Sequence, residues 1–396
     1  MERLVGTTVR GLRAPIFRQG DDLSRIIPDL LVRFWREEKV AIDSKDVLAI
    51  TESVVARSQG NYVTVGQVAQ DLNAKFQGET LGVIFPILSR NRFAIILRAI
   101  ASAKFKRIVL MLSYPADEVG NHLVSLDALD EAGVDPWRDT LDLPTYREKF
   151  GQPLHTFTGI DYVDYYRGLV TELGKECEVI FSNRAETILG YTNQVLACDI
   201  HTRVRTCRQL KARSANCYAL DQIMTTPQDG SGFNPEFGLL GSNKSTEDKI
   251  KLFPRDSQIL VDAIQAELLR RTGKTIEVMV YGDGAFKDPV GKIWELADPV
   301  VSPGFTAGLR GTPNELKLKY LADNEFGDLS GKSLKEAIEE RIRGKESNLL
   351  GQMDTQGTTP RQLTDLLGSL CDLTSGSGDK GTPVVYIQGY FDDYTK

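Results

Sequence analysis

The sequence predicts a mixed α/β (α+β) fold, and three observations carry that prediction. In the middle third, short β-branched runs alternate with helical patterns, the rhythm of βαβ units around a parallel sheet. Near both ends, single apolar strand-like runs stand between amphipathic helices. The chain has 396 residues, more than one hydrophobic core usually supports, so two or three domains are expected.

The first helix is expected after Asp21 or Asp22, with Leu23, Ile26, Ile27, Leu30 and Leu31 at helical spacing. The buried run around Asp46–Gly60 reads as a strand feeding a turn, and a helix is expected from Val65 to Phe76. The middle third then offers Arg107–Leu112, Asp161–Leu173, Glu178–Phe181, Ala185–Tyr191 and Val195–Ile200 in βαβ alternation. Toward the end come a helix from Ser257 to Arg271 closed by Gly273, a strand from Thr275 to Tyr281, helices over Leu334–Ile342 and Arg361–Leu370, and a strand from Pro383 to Gln388.

Composition narrows the function. With 41% hydrophobic and 26% charged residues the chain is ordinary globular protein, neither disordered nor fibrous. Its 48 basic against 54 acidic side chains give a net charge of −6, against a nonspecific nucleic-acid binder. The N-terminus lacks the apolar core of a secretory signal, and the apolar stretch Leu81–Leu112 is interrupted by Arg90, Arg92, Arg98, Lys104, Lys106 and Arg107, so no membrane span is expected. Five cysteines, an odd number, suit reduced thiols in a cytoplasm.

In an open parallel sheet, ligands bind beyond the carboxyl ends of the strands. The polar residues there are Ser113, Asp117, Glu118, Asn121 and His122, then Ser182 and Asn183, then Asp199, His201 and Arg203. His201 with Asp199 and Arg203 suits an anionic ligand, with a structural histidine as the competing account. Ser89-Arg90-Asn91-Arg92 sets two guanidiniums after an apolar run, a match for phosphate or carboxylate, and equally a surface ion-pair cluster. Asp283, Asp288, Glu295 and Asp298 lie close together in a loop-rich stretch, hard oxygen ligands for Mg²⁺ or Mn²⁺. Gly282 and Gly284 flank the first of them and allow close backbone approach; a solvated turn is the alternative. The glycine-rich Ser375–Thr382, with Lys380, lacks the order of a Walker motif and reads as a substrate-facing loop or a flexible hairpin. Cys198, His201, Cys207 and Cys217 match no zinc spacing, and no GxSxG, HExxH or GxGxxG is present.

Three segments together resemble the coenzyme F420 gamma-glutamyl ligases: GLRAPIFRQGDDLSRII with DVLAITESVVARSQG, then GLLGSNKSTEDKIKLFPRDSQILVDAIQAELLRRTGKTIEVMVYGDG, then CDLTSGSGDKGTPVVYIQG. The resemblance implies a discontinuous ligase-like domain over residues 1–75 and 235–396, with an inserted α/β domain over 76–234. It implies a GTP-dependent (or ATP-dependent) ligase that uses Mn²⁺ or Mg²⁺ to join L-glutamate, or another amino acid, to a small carboxylate acceptor, as a homodimer. The carboxylates of the loop-rich stretch supply the expected metal ligands, Asp283 and Asp288 first, then Glu295 and Asp298. Catalytic candidates are Asp283, Lys287, Arg90 and Arg92. Nucleotide or acceptor contacts fall on Ser242, Asn243, Lys244, Gly282, Gly284, His201, Arg203 and Lys380. The chain departs from the family where a metal aspartate becomes Leu240, a strand-end aspartate becomes Gly282, and a closing arginine becomes Gln388. A binding protein without turnover, or a ligase for a folate-type or cell-wall acceptor, is the alternative.

Overall fold

The computed structural model describes residues 4–156, 158–282, 285–287, 294–296, 302–356, 358, 361–375 and 379–395, with backbone alone for 285–287 and 294–296. It is a mixed α/β chain in two compact units. One comprises Met1–Ser58, Asp256–Phe286 and Glu295–Lys396; the other comprises Gln59–Arg255 and Lys287–Trp294.

The first unit is built on a five-stranded sheet in the order Thr8–Leu12, Val384–Gln388, Val47–Thr51, Glu277–Tyr281, Gly304–Phe305. Only Val47–Thr51 and Glu277–Tyr281 pair in parallel. Side chains alternate across this sheet as the pleat requires. Leu48, Ile50, Val278, Val280, Val384 and Tyr386 face one core with helices Leu23–Glu37 and Ser257–Thr272. Val47, Ala49, Met279, Tyr281, Val385 and Ile387 face another with Leu367 and Cys371 of helix Leu363–Thr374. The strands are apolar on both sides because both faces are covered.

Helix Leu23–Glu37 starts where Asp22 accepts the Ser24 N–H at 3.0 Å. Pro28 lies inside it, which costs about 3 kcal/mol in a helix interior. Leu23, Ile27, Leu31 and Trp35 recur every fourth residue and are buried, at about 1.5–3 kcal/mol each for the aliphatic ones, so packing overrides the proline. A smaller cluster of Leu316, Leu321, Ile338, Ile342 and Leu349 holds helix Gly331–Arg343.

In the second unit a six-stranded sheet runs Leu141–Asp142, Glu176–Phe181, Arg107–Leu112, Thr80–Ile84, Gln194–Ala197, Asn216–Ala219. The last five strands are parallel, and Leu141–Asp142 is an antiparallel edge. In chain order the parallel strands read 3-2-1-4-5, so the chain winds outward in both directions from Thr80–Ile84. Such a switch point opens a crevice beyond the carboxyl end of the central strand. Helices Val65–Lys75, Phe93–Ser102 and Tyr162–Thr171 cover one face, and helix Arg203–Lys211 the other.

The expected βαβ alternation is present, with differences. Ala185–Gly190 is a 3₁₀ helix, and the turn expected after Val47–Thr51 is the short helix Glu52–Ser58. The apolar stretch Leu81–Leu112 divides into strand, loop, helix Phe93–Ser102 and strand, with Arg90, Arg92, Lys104 and Lys106 in the connections. A further two-element piece, helix Arg203–Lys211 and strand Asn216–Ala219, completes the parallel sheet.

The turn that carries Ser242 depends on glycine. Gly238 has φ +51°, and a Cβ there would stand 2.4 Å from the Ile223 carbonyl oxygen and 2.7 Å from that of Leu220. Gly238→Ala is therefore expected to destabilise the protein by about 2–4 kcal/mol. Gly78→Ala, at φ +73° with nothing within 4 Å, meets only the backbone strain and is expected to cost about 1 kcal/mol. Thermal unfolding of the two variants checks the difference; equal midpoints would show that the Gly238 turn relaxes freely.

Candidate active site

The chain leaves the central strand at Ile84 and reaches helix Phe93–Ser102 through a loop that other elements hold in place. Leu88 N–H donates to Asp117 Oδ2 at 2.7 Å. The Tyr166 hydroxyl accepts the Ser89 N–H at 2.7 Å and donates to the Ile87 carbonyl at 2.7 Å. Ser89 Oγ accepts the Arg92 N–H at 3.1 Å, and the Asn91 carbonyl accepts the Lys244 N–H at 2.6 Å. With its backbone so occupied, the loop presents Arg90, Asn91 and Arg92 to a cleft of about 310 Å³.

Asp117 ties this loop to the next one. Besides Leu88, its carboxylate accepts the N–H groups of Val119 at 3.1 Å and Asn121 at 2.8 Å, and the Asn121 side-chain amide at 2.8 Å. Burial pushes the Asp117 carboxyl above the ordinary range, and those four donors pull it back. Asn121 Oδ1 meets His155 Nε2 at 3.3 Å, while His155 Nδ1 lies 3.1 Å from Thr158 Oγ1. His155 is 8% exposed, and burial lowers its pKa from 6.5, with Asp117 opposing the shift and Arg90 adding to it. The cleft wall therefore holds two guanidiniums and a neutral imidazole at neutral pH.

A second polar cluster lies at the start of helix Arg203–Lys211. Glu118 accepts the backbone N–H groups of Ile200 at 2.5 Å, His201 at 3.0 Å and Thr202 at 3.0 Å, filling that helix terminus with a carboxylate of the chain itself. Asp199 Oδ2 accepts the hydroxyls of Thr202 and Thr206, each at 2.7 Å, and burial raises its pKa. His201 is exposed; Arg203 Nε donates to Asp221 at 2.6 Å. Asn183, at the end of strand Glu176–Phe181, pins Tyr114 through its backbone N–H at 3.1 Å and its carbonyl at 2.5 Å.

The GLLGSN segment lies in the second unit. Ser242 is buried, and its hydroxyl has no partner among the described residues. Asn243 and Lys244 pair with Lys251 and Ile250 in a small sheet, and the Lys244 ammonium pairs with Glu247. Ser242–Lys244 and Arg90–Arg92 thus adjoin through the Lys244–Asn91 hydrogen bond. Leu240 is 7% exposed within the apolar core that also holds Leu239 and Leu252. The position where the resemblance sets a metal aspartate does not fit a cation. Among the described residues no three His, Cys, Asp or Glu side chains are grouped to hold a metal ion.

In the first unit, Gly282 follows strand Glu277–Tyr281, and the Tyr281 hydroxyl lies 2.5 Å from Ser375 Oγ. That contact sets the start of the glycine-rich segment beside the strand end. Lys380 lies on an exposed turn before strand Val384–Gln388. Asp283, Gly284, Asp288 and Asp298 lie outside the described residues, as do the side chains of Lys287 and Glu295.

Strand-end clusters on a 3-2-1-4-5 parallel sheet define an α/β protein with a ligand crevice at its switch point. The family model described as F420-0:Gamma-glutamyl ligase matches residues 11–389. The chain belongs to this ligase family, and the match runs through both units. No curated protein matches the chain. Among the described residues, no helix is long and apolar enough to cross a membrane.

The sequence analysis places Arg90, Arg92, Asp117 and Asn121 among the candidates, and the structure adds His155 to them. Thr158, Tyr162 and Tyr166 were missed. Tyr162 and Tyr166 stand four apart on one helix, and a buried phenol needs a hydrogen-bond partner, which was the available signal.

A sign follows from His155. Its folded pKa lies below the unfolded value of 6.5, so its contribution to stability is present above that value and is lost as pH falls through the folded pKa. Unfolding midpoints measured below pH 6.5 are expected to fall more steeply for the natural protein than for His155→Gln. Parallel pH profiles would show that the ring protonates as freely folded as unfolded.

Proposed function

We propose that the protein is a nucleotide-dependent acid–amino-acid ligase that joins L-glutamate to a small carboxylate acceptor, with GTP as phosphoryl donor, ATP as the alternative, and Mn²⁺ or Mg²⁺ as the accompanying ion. The observation that carries the reading is the family match over residues 11–389, across both units rather than one fragment. In the proposed reaction an acceptor carboxylate oxygen attacks the γ-phosphorus, the nucleoside diphosphate leaves, and an acyl phosphate forms. The glutamate amine, having shed a proton, then attacks the acyl carbon and inorganic phosphate departs. Both steps build negative charge on phosphoryl oxygens, which fixed cations and backbone N–H groups stabilise.

Ser242, Asn243 and Lys244 are the proposed contacts to nucleotide or acceptor. The ion is assigned to Asp283 and Asp288, with Glu295 and Asp298 as the second pair. Five thiols free of disulfides support a cytoplasmic setting, and the resemblance supports a homodimer. A binding protein without turnover is the second reading, favoured by Leu240 lying in an apolar core at the resemblance's metal position.

Phosphate release from GTP or ATP, measured with L-glutamate and a panel of carboxylate acceptors, separates the two readings. The ligase reading expects amino-acid-dependent release that chelator abolishes, and a loss of about 100-fold or more in Asp283→Asn with an unchanged unfolding midpoint. Full activity in that variant would remove Asp283 from the site, and no release with either nucleotide would leave the binding protein.

A further inference from the structure

The cysteines of the middle third match no zinc spacing, yet the structure sets two of them sulfur to sulfur. Cys207 Sγ lies 3.0 Å from Cys217 Sγ. Cys207 stands in helix Arg203–Lys211 and Cys217 in the edge strand Asn216–Ala219, and both pack in the core between that helix and the sheet. A disulfide bond measures about 2.05 Å, so an approach of about 1 Å separates this contact from a bond. We propose that Cys207 and Cys217 form a redox-active dithiol, a site that hydrogen peroxide closes to an intramolecular disulfide and an added dithiol reopens.

The two thiols are unequal partners. The Cys217 thiol donates a hydrogen bond to Cys207, which holds the Cys207 thiol below its ordinary value against the effect of burial and pushes Cys217 above its own. The Lys211 ammonium, one helical turn beyond Cys207, favours the thiolate further, while Asp199 and Asp221 oppose it. Lys211 is itself kept near, with its ammonium 5.9 Å from the centre of the ring of Tyr218, the residue after Cys217. Cys207 is thus the nucleophile and Cys217 the resolving thiol. Burial raises the thiols of Cys177, Cys198 and Cys371 instead. Those three pack in other cores, Cys177 and Cys198 across the sheet and Cys371 in the first unit.

Access selects the oxidant. Cys207 is 6% exposed and Cys217 1% exposed, which suits a molecule the size of water. The Cys207 thiolate attacks one peroxide oxygen, the O–O bond breaks, and the departing hydroxide takes up a proton as water. Cys207 is then a sulfenic acid, which condenses with a neighbouring thiol. The Cys217 sulfur attacks the Cys207 sulfur, the S–S bond forms, and the sulfenic hydroxyl leaves with the Cys217 proton as a second water. The two thiols lose two electrons and one peroxide becomes two waters. Because the attacking sulfur already touches its target, closure precedes any further oxidation of Cys207. The bond ties the helix to the edge of the sheet across residues 208–216.

Peroxide treatment of the native full chain, ended with catalase and followed by alkylation in denaturant, tests the site. Free thiols are expected to fall by two from five, with peptide mapping finding Cys207 joined to Cys217 within one chain, and dithiothreitol is expected to restore all five. In folded Cys217→Ser the sulfenic acid has no thiol to condense with, so dimedone is expected to label Cys207. In Cys207→Ser, Cys217 is expected to stay unlabelled, and Cys198→Ser is expected to close the pair as the natural protein does. A count that stays at five, another cysteine joined in place of either partner, a link between two chains, or dimedone on Cys217 in Cys207→Ser would each overturn the proposal. The pairing is read in the natural protein, so the outcome does not hang on a variant that fails to fold. No nucleotide or acceptor enters the assay, so the result stands whatever becomes of the ligase reading.

Discussion

The buried carboxylate of Asp117 is the interaction on which the candidate site depends. A charge taken out of water costs several kcal/mol, and a hydrogen bond to a charged group returns about 1.5–3 kcal/mol. Asp117 is 7% exposed and receives four N–H donors, so it is viable only because Leu88, Val119 and Asn121 all converge on it. The same bonds set the loop after the first parallel strand against the loop after the second. Asn121 in turn meets His155, and Leu88 leads directly into Ser89–Arg92. One acid thereby specifies the positions of two arginines and a histidine drawn from two separated stretches of chain.

The first unit rests on a different constraint, the strict alternation of two apolar faces along Val47–Thr51, Glu277–Tyr281 and Val384–Gln388. A one-residue slip in any of these strands would send Leu48, Val278 or Tyr386 to the opposite core. Tyr386 reaches Asp46 with its hydroxyl, which adds a polar lock to the apolar one. These are also the strands whose ends carry Gly282 and the glycine-rich approach to Val384, so register controls what the strand ends present.

Much of this was legible in the sequence, and for physical reasons. Helix Ser257–Thr272, with its C-cap Gly273, and helix Leu23–Glu37, with Asp22 as N-cap, follow from spacing and capping, which are local properties. The parallel sheet was readable from its alternating runs. Strand Thr80–Ile84 was not separable from helix Phe93–Ser102, because an apolar run buried on all sides has no periodicity. Strand-end polarity flagged Asp117 and Asn121, yet nothing local indicated that Asp117 binds Leu88, 29 positions earlier, or that Asn121 meets His155, 34 positions later. The departure at Leu240 was visible; its burial in an apolar core was not.

The most direct test of the ligase account is equilibrium binding of GTP and of ATP to the purified protein by calorimetry, with Mn²⁺, with Mg²⁺ and with chelator. The account predicts metal-dependent binding of one nucleotide at a micromolar dissociation constant, about −8 kcal/mol. Absence of binding of either nucleotide under all three conditions would contradict it.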